Sequence, residues 1–241
     1  MKQKYLFALV LTLFSIMGMA QEKTSTSRLF MGVGSADVMD TYLSPYSYTG
    51  LGVLVGFEKE YTHTLHRLDM YINYTENPAR NANDYSWVMQ YGIGHLQTLN
   101  QSVNNLELKV GGIGVSNMGV LYNDRNGNNP CQAKLSLTAN AIGRASYQLK
   151  NTRLQASVEI PIIGIAYSPM FGQSYYEEWE LGNSDHNCVF AHIGNMPSLH
   201  FRLTAEYHRW LVGYDCRMDQ SKFNHLRYHE YQHSFVVGYE L

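Results

Sequence analysis

Strict alternation of apolar and polar residues is the feature of this sequence that most limits its fold. In one segment the apolar set is Leu68, Met70, Ile72 and Tyr74, and the intervening set is Arg67, Asp69, Tyr71 and Asn73. Successive side chains of a β-strand point to opposite faces, so a period of two predicts strands. The pattern recurs along most of the chain, and helical spacing is scarce after the first twenty residues. It therefore predicts an all-β protein.

Turn-forming residues divide the alternating pattern into about ten strands. The predicted strands are 28–36, 48–59, 66–75, 84–98, 104–115, 132–148, 152–166, 197–206, 210–218 and 228–241. Short connections alternate with mostly longer ones, which is typical of a bacterial membrane barrel with periplasmic turns and extracellular loops. We therefore predict a single antiparallel up-and-down barrel of the membrane type, with both chain ends on the periplasmic side.

The last predicted strand alternates up to its final residue, Leu241. Its outward face would carry Tyr231 and Tyr239, which lie roughly 20 Å apart along the barrel normal at the usual rise and tilt. That spacing suits two aromatic girdles, one at each membrane interface. We expect this strand to pair with the first, because an open edge in lipid leaves backbone groups unpaired. A lipid-facing His233 is unfavourable in this arrangement.

The first twenty residues have the pattern of a secretory signal peptide. Lys2 and Lys4 precede an apolar run, and Gly18-Met19-Ala20 supplies small residues before a cleavage site. Gln21 follows, where a lipoprotein would have cysteine. The expected organisation is a signal peptide at 1–20 and a barrel domain at 21–241, exported to the outer membrane and in contact with its lipid.

The charge of the chain argues against nucleic acid as a partner. The formal net charge is -2 and only 16% of the residues are charged. The charged residues assigned to inward faces have both signs: Arg67, Asp69, Glu107, Lys109, Lys134, Arg153, Glu159, Arg202, Glu206, Asp215 and Arg217. We expect them to pair across a crowded lumen, without a large open channel.

A soluble periplasmic barrel that holds an apolar ligand is the alternative fold. Exchanging the inner and outer faces leaves the alternation unchanged, so the period alone does not separate the two. The signal peptide, the aromatic strand ends and the two classes of connection favour the membrane barrel.

Three stretches resemble a family of exported bacterial proteins of unknown function: TYLSPYSYTG (41–50), GQSYYEEWELGN (172–183) and NHLRYHEYQHSFVVGYEL (224–241). That family is similar to small outer-membrane barrels. The resemblance implies the same fold and location, and it brings no catalytic residue with it.

The longest predicted loop contains two sets of candidate site residues. Asp185 and His186 suggest an outer-membrane hydrolase acting on lipid or peptide, although adjacent residues on an extended chain point apart and a partner such as Ser184 or His192 is needed. The alternative is a solvated polar loop. The aromatic residues Phe171, Tyr175, Tyr176 and Trp179 stand among carboxylates, as in sites that bind a glycan or a protein. Alternatively, their rings pack the loop onto the barrel rim.

His225, His229 and His233 would share one face of a helix and suggest zinc. On a strand their neighbours lie about 13 Å apart, too far to share an ion, so no metal or other cofactor is predicted. Cys131 and Cys188 lie at the edges of turn-rich segments and either pair or remain free. The sequence favours a binding or structural envelope component acting through its extracellular loops over an enzyme.

Overall fold

The computed structural model describes residues 25–103 and 105–241, and the predicted signal peptide lies outside them. The described residues form the strands β1 (Ser25–Asp40), β2 (Tyr48–Tyr61), β3 (Thr64–Glu76), β4 (Asn83–Val103), β5 (Leu106–Asn123), β6 (Cys131–Leu149), β7 (Thr152–Tyr167), β8 (Cys188–His192), β9 (Leu199–Tyr207), β10 (Trp210–Phe223) and β11 (Leu226–Glu240), and a π-helix, Tyr176–Glu180. Within these residues, no helix is long and apolar enough to cross a membrane.

The strands close into one antiparallel barrel. Each strand from β1 to β7 pairs with its sequence neighbours, and β1 also pairs with β11, for example Val33 with Phe235. β7 pairs with β9 along Thr152–Glu159 and with β8 along Ile163–Tyr167. β8 and β9 therefore share one position in the wall, separated by residues 193–198. The resulting ten positions confirm the predicted barrel.

The apolar residues of the alternating pattern face outward. Exposed members of this set are Leu29, Met31, Val33, Leu51, Leu68, Ile72, Leu135, Val212, Phe235 and Val237. The charged residues between them are mostly buried, so the barrel is apolar outside and charged inside. This confirms the membrane type and shows that the alternative, with a dry apolar centre and wetted charges, is wrong.

The inner face is less uniform than the alternation predicts. Phe30, Leu54, Tyr71, Leu211 and Val236 also point inward and form a buried apolar cluster. At these points of the strands, successive residues are all apolar, so the inward-facing residue is apolar as well as the outward-facing one.

Aromatic residues form contacts near both ends of the outer wall. Trp210 and Tyr239 lie with ring centroids 5.2 Å apart at one end, and Tyr85 contacts Tyr74 at 5.3 Å towards the other. The cost of a lipid-facing His233 is partly offset, because its Nδ1 shares a hydrogen bond of 2.6 Å with the Tyr214 hydroxyl.

Connections at one end of the barrel, the turn end, are two residues long. The opposite end, the loop end, carries the longer segments 41–47, 77–82, 124–130 and 168–198. The longer connection predicted around 219–227 is wrong, because β10 continues to Phe223 and β11 begins at Leu226. Asn224 and His225 make this turn with φ of 49° and 65°, as a type I′ hairpin requires.

Candidate functional site

Buried ion pairs fill the lumen near the turn end. Arg144 donates to Glu60 at 2.7 Å and to Glu58 at 3.0 Å, and Lys109 donates to Glu60 at 2.9 Å. Arg28 donates to Glu58 at 3.2 Å. Because β6 and β2 lie on opposite sides of the barrel, these contacts cross the lumen. Arg28, Glu58, Glu60 and Arg144 were absent from the predicted inward set, although the alternation places Glu58 and Glu60 on the face of β2 opposite Phe57.

A second layer of ion pairs lies above the first. Arg202 on β9 donates to Asp215 at 2.7 Å and reaches Asp69 on the opposite wall at 3.2 Å. Arg67 donates to Glu159 at 2.6 Å, again across the lumen. These contacts confirm that the predicted inward charges pair across the barrel. Each charge has its partner, as burial requires.

A third layer lies towards the loop end. Arg217 is fully buried and donates to Glu230 at 2.5 Å, with a further ion pair to Asp219. Its guanidinium lies 4.4 Å from the centre of the Tyr71 ring. Arg217 and Asp219 of this layer also line a cavity towards the loop end.

The cavity has a volume of about 120 Å³ and is lined by polar and apolar side chains. On one wall Lys134 pairs with Asp40 and lies 3.7 Å from the centre of the Tyr228 ring. Three polar atoms of the lining residues, Asn117 Oδ1, Asn140 Oδ1 and Arg217 Nε, are buried and have no hydrogen-bond partner within the described protein. A buried polar atom without a partner is costly, so a molecule that reaches one of these atoms gains a hydrogen bond there.

Residues 168–187, the roof, connect β7 to β8 at the loop end. Tyr42 donates its hydroxyl to the backbone oxygen of Gln173 at 2.7 Å, and its ring contacts Tyr175 at 6.1 Å. Burial, with help from the carboxylate of Glu178, raises the pKa of Tyr42 to about 12, so this donor stays protonated. Asn224 Nδ2 ties the β10–β11 turn to the roof through the Ser168 backbone oxygen at 2.8 Å. The roof is thus fastened at several points.

Of the four predicted aromatic binding residues, three have described side chains, and these differ in exposure. Phe171 and Tyr176 are 70% and 65% exposed, whereas Tyr175 is half-buried against Tyr42. The side chain of Trp179 lies outside the described residues. A binding role for the four residues remains a prediction.

Asp185 and His186 are both exposed in the roof. In the described part of the chain, no side-chain hydrogen bond or ion pair joins Asp185 and His186 to each other, to Ser184 or to His192. A catalytic role for the two residues remains a prediction. The three cysteines, Cys131, Cys188 and Cys216, are free thiols in this structure.

The chain matches the family described as protein of unknown function (DUF3316) over residues 6–240. The chain belongs to this family. The comparison of this DUF3316 protein with curated proteins gives no match.

Solved outer-membrane proteins are among the structures similar to this DUF3316 barrel. Neisserial surface protein A is 9% identical with a TM-score of 0.39, covering 91% of this chain and 100% of its own. A major outer membrane protein from Thermus thermophilus is 10% identical with a TM-score of 0.39, covering 90% and 100%. Ail of Yersinia pestis, solved with the heparin analogue sucrose octasulfate, is 13% identical with a TM-score of 0.25, covering 92% and 100%. The fold assignment rests on the strand pairings described above.

Proposed function

We propose that this protein is an outer-membrane barrel that binds a small glycan unit at its loop end and does not act as a wide pore. The outward apolar wall supports a place in lipid, and the loop end then faces the cell exterior. Three layers of paired charges below the cavity support a binding role over conduction.

The proposal depends on the cavity at the loop end of the lumen. A cavity of about 150 Å³ accommodates one benzene-sized ring, so this cavity of about 120 Å³ suits a ligand of roughly single-ring size. Its buried charges are already paired, as in Lys134 with Asp40 and Arg217 with Glu230, so they do not call for a charged ligand.

Sugar hydroxyls suit the unpartnered atoms of the lining. Asn117 Oδ1 and Asn140 Oδ1 can only accept a hydrogen bond, and Arg217 Nε can only donate one. A hydroxyl group both donates and accepts, so a sugar can serve acceptors and donors alike. The lining also includes the buried residues Val115 and Pro161, which supply apolar contact for the face of a sugar ring.

Calorimetric titration of the purified protein in detergent with a panel of mono- and oligosaccharides tests the proposal. We expect at least one glycan to bind, and Asn140→Leu to weaken that binding by about tenfold, the value of one hydrogen bond of about 1.4 kcal/mol. Asn128→Leu, in an exposed part of segment 124–130, is the matched control and should leave binding unchanged.

Heat-modifiable migration on gels verifies that each variant is folded. If no saccharide binds the folded protein, or if Asn140→Leu and Asn128→Leu bind the glycan equally well, the proposed role of the cavity is wrong. Recovery of the protein from the soluble periplasm without detergent would contradict the proposed location.

A further inference from the structure

A cluster of serine, histidine and aspartate lies on the outer wall, apart from the cavity. His229 Nε2 is 3.3 Å from Ser47 Oγ and 3.1 Å from Asp37 Oδ1. Ser47 also donates its hydroxyl hydrogen to Asp37. A serine hydroxyl within reach of an imidazole, with a carboxylate beside both, is the constellation of nucleophilic acyl transfer.

Strand register brings the three residues together from distant parts of the sequence. On the outer face of β1, Asp37 pairs with Tyr231 of β11 on one side and with Thr49 of β2 on the other. His229 lies two residues before Tyr231 on the same face, and Ser47 lies two residues before Thr49. The cluster therefore spans three adjacent strand positions at the loop end.

Neighbouring contacts hold both the histidine and the serine segment. The His229 ring stacks on Tyr231 with centroids 4.6 Å apart and planes 6° apart. At the start of segment 41–47, Thr41 Oγ1 accepts from the Arg227 backbone N–H at 2.8 Å, and the Thr41 N–H donates back to the Arg227 oxygen at 3.0 Å. These contacts limit the movement of the two reacting groups.

The height of the cluster on the wall places it where lipid esters lie. In the strand register, Thr49 is two residues beyond Leu51, which pairs with Tyr74 of the loop-end aromatic group. Aromatic belts mark the headgroup level of a membrane, so the cluster sits at or just outside that level. The Asp37 side chain is 41% exposed and that of His229 is 18% exposed, which leaves the cluster open to a molecule in the lipid layer.

We propose that Ser47, His229 and Asp37 form a hydrolytic site that cleaves fatty-acyl esters of lipids in the outer leaflet. This activity goes beyond the proposed glycan binding and uses none of its residues. It also assigns the hydrolase function considered from the sequence to residues other than Asp185 and His186.

The reaction needs only the lipid ester and water. In this structure the Ser47 hydroxyl hydrogen points to Asp37, and for the reaction it turns to Nε2 of a neutral His229. Oγ then attacks the ester carbonyl carbon as this hydrogen passes to Nε2, which gives a tetrahedral oxyanion and an imidazolium. The carbon–oxygen bond to the lipid alcohol then breaks, and the alcohol oxygen takes the proton from Nε2. Water attacks the acyl-serine in the same manner and releases the fatty acid and free Ser47.

Asp37 acts through its neighbours. Once His229 is protonated, its Nε2–H faces the Asp37 carboxylate, and the ion pair stabilises the imidazolium. This differs from a serine protease, in which the carboxylate holds the other ring nitrogen. Asp37 is therefore a positioning residue, and Ser47 and His229 are the catalytic residues.

A structural role is the competing explanation, because an aspartate on the outer wall is costly unless it is hydrogen-bonded. The same two strands offer a matched control for that explanation. Ser35 and His233 lie directly opposite each other on β1 and β11 and face outward, but His233 is hydrogen-bonded to Tyr214. This control pair therefore places a serine and a histidine at the lipid surface without the contact to an aspartate.

The test uses the full protein purified from membranes and reconstituted in phosphatidylethanolamine vesicles or, in a separate arm, mixed with purified lipopolysaccharide. Released fatty acid is measured by mass spectrometry, and a fluorophosphonate probe reports the nucleophile by peptide mapping. We expect the probe on Ser47 and fatty acid from at least one lipid, and the productive arm identifies the source of the ester.

Ser47→Ala and His229→Gln should each lower release by about 10²-fold or more, the usual contribution of a general base. Ser35→Ala and His233→Gln should leave it unchanged, and Asp37→Asn should lower kcat with little change in KM. Gel migration confirms folding of every variant. The proposal is overturned if the folded protein releases no fatty acid in either arm and Ser47 stays unlabelled, or if Ser47→Ala retains full activity.

Discussion

Replacing Arg202 by methionine tests whether the charged lumen stabilises the barrel. The guanidinium of Arg202 contacts Asp69 at 3.2 Å and Asp215 at 2.7 Å, and it lies 4.1 Å from the centre of the Phe30 ring. Methionine keeps most of the side-chain volume and removes the charge. Both carboxylates are then left buried with one cationic partner fewer.

The magnitude follows from what remains around each carboxylate. Breaking a buried ion pair costs about 3–5 kcal/mol when one charge is stranded. Here Asp69 keeps Arg67 at 2.9 Å, and Asp215 keeps His200 at 2.8 Å. We therefore expect the lower end of the range, about 3 kcal/mol, which is roughly a 10²-fold change in the folding equilibrium.

Urea unfolding of the protein in lipid vesicles, followed by tryptophan fluorescence and gel migration, measures this free energy of unfolding. Arg125→Met, at an exposed loop position, is the matched control and should change it by less than about 0.5 kcal/mol. Adding Asp215→Asn to Arg202→Met should recover part of the loss, because one stranded charge is removed. If Arg202→Met is as stable as the control, the reasoning about the lumen is refuted.

Three further substitutions test the wall and its turns by the same unfolding titration. Gly34→Ala should prevent folding, because a Cβ there lies 1.8 Å from the His233 backbone oxygen. At Gly143 a Cβ meets nothing within 4 Å, so Gly143→Ala should be tolerated. Equal stability of the two variants would contradict the close approach of β1 and β11. Val33→Arg on the outer wall should cost about 2–4 kcal/mol in lipid, and Val33→Leu should cost little; an arginine without effect means that Val33 does not face hydrocarbon. Asn224→Gly keeps the turn at a φ of 49° but loses the hydrogen bond from Asn224 Nδ2 to the Ser168 backbone oxygen. Amide hydrogen exchange in 168–198 should therefore rise, while the free energy of unfolding changes little. Unchanged exchange would show that this hydrogen bond does not hold the segment.

Period-two alternation predicted the barrel because it reports which face each side chain occupies. Residues such as Leu68 and Phe235 are apolar where they meet the outside, and Arg67 and Arg202 are charged where they meet the lumen. The two-residue length of the β10–β11 turn was not predicted, because Asn224-His225 adopts left-handed φ values without a glycine that would indicate a tight turn. β8 was missed because its five residues, read alone, do not differ from a loop.

Neither the cavity nor the Ser47 cluster was predictable from local pattern. Asp37 and His229 are 192 residues apart and meet only because β1 and β11 close the barrel in one particular register. The spacing of the three histidines drew attention to His229 as a metal ligand, and strand geometry argued against a shared ion. Its neighbours across the strands depend on register, which alternation alone does not supply.

A spin-label scan along β11 in lipid vesicles tests the central claim that the apolar face of the barrel meets hydrocarbon. Single cysteines are introduced from Tyr231 to Tyr239 in a chain without its three native cysteines, and each label is exposed to oxygen and to a water-soluble nickel complex. We predict that oxygen accessibility alternates with a period of two and is highest at Phe235 and Val237. Higher access of the nickel complex at those two positions than at Ser234 and Val236 would contradict the account.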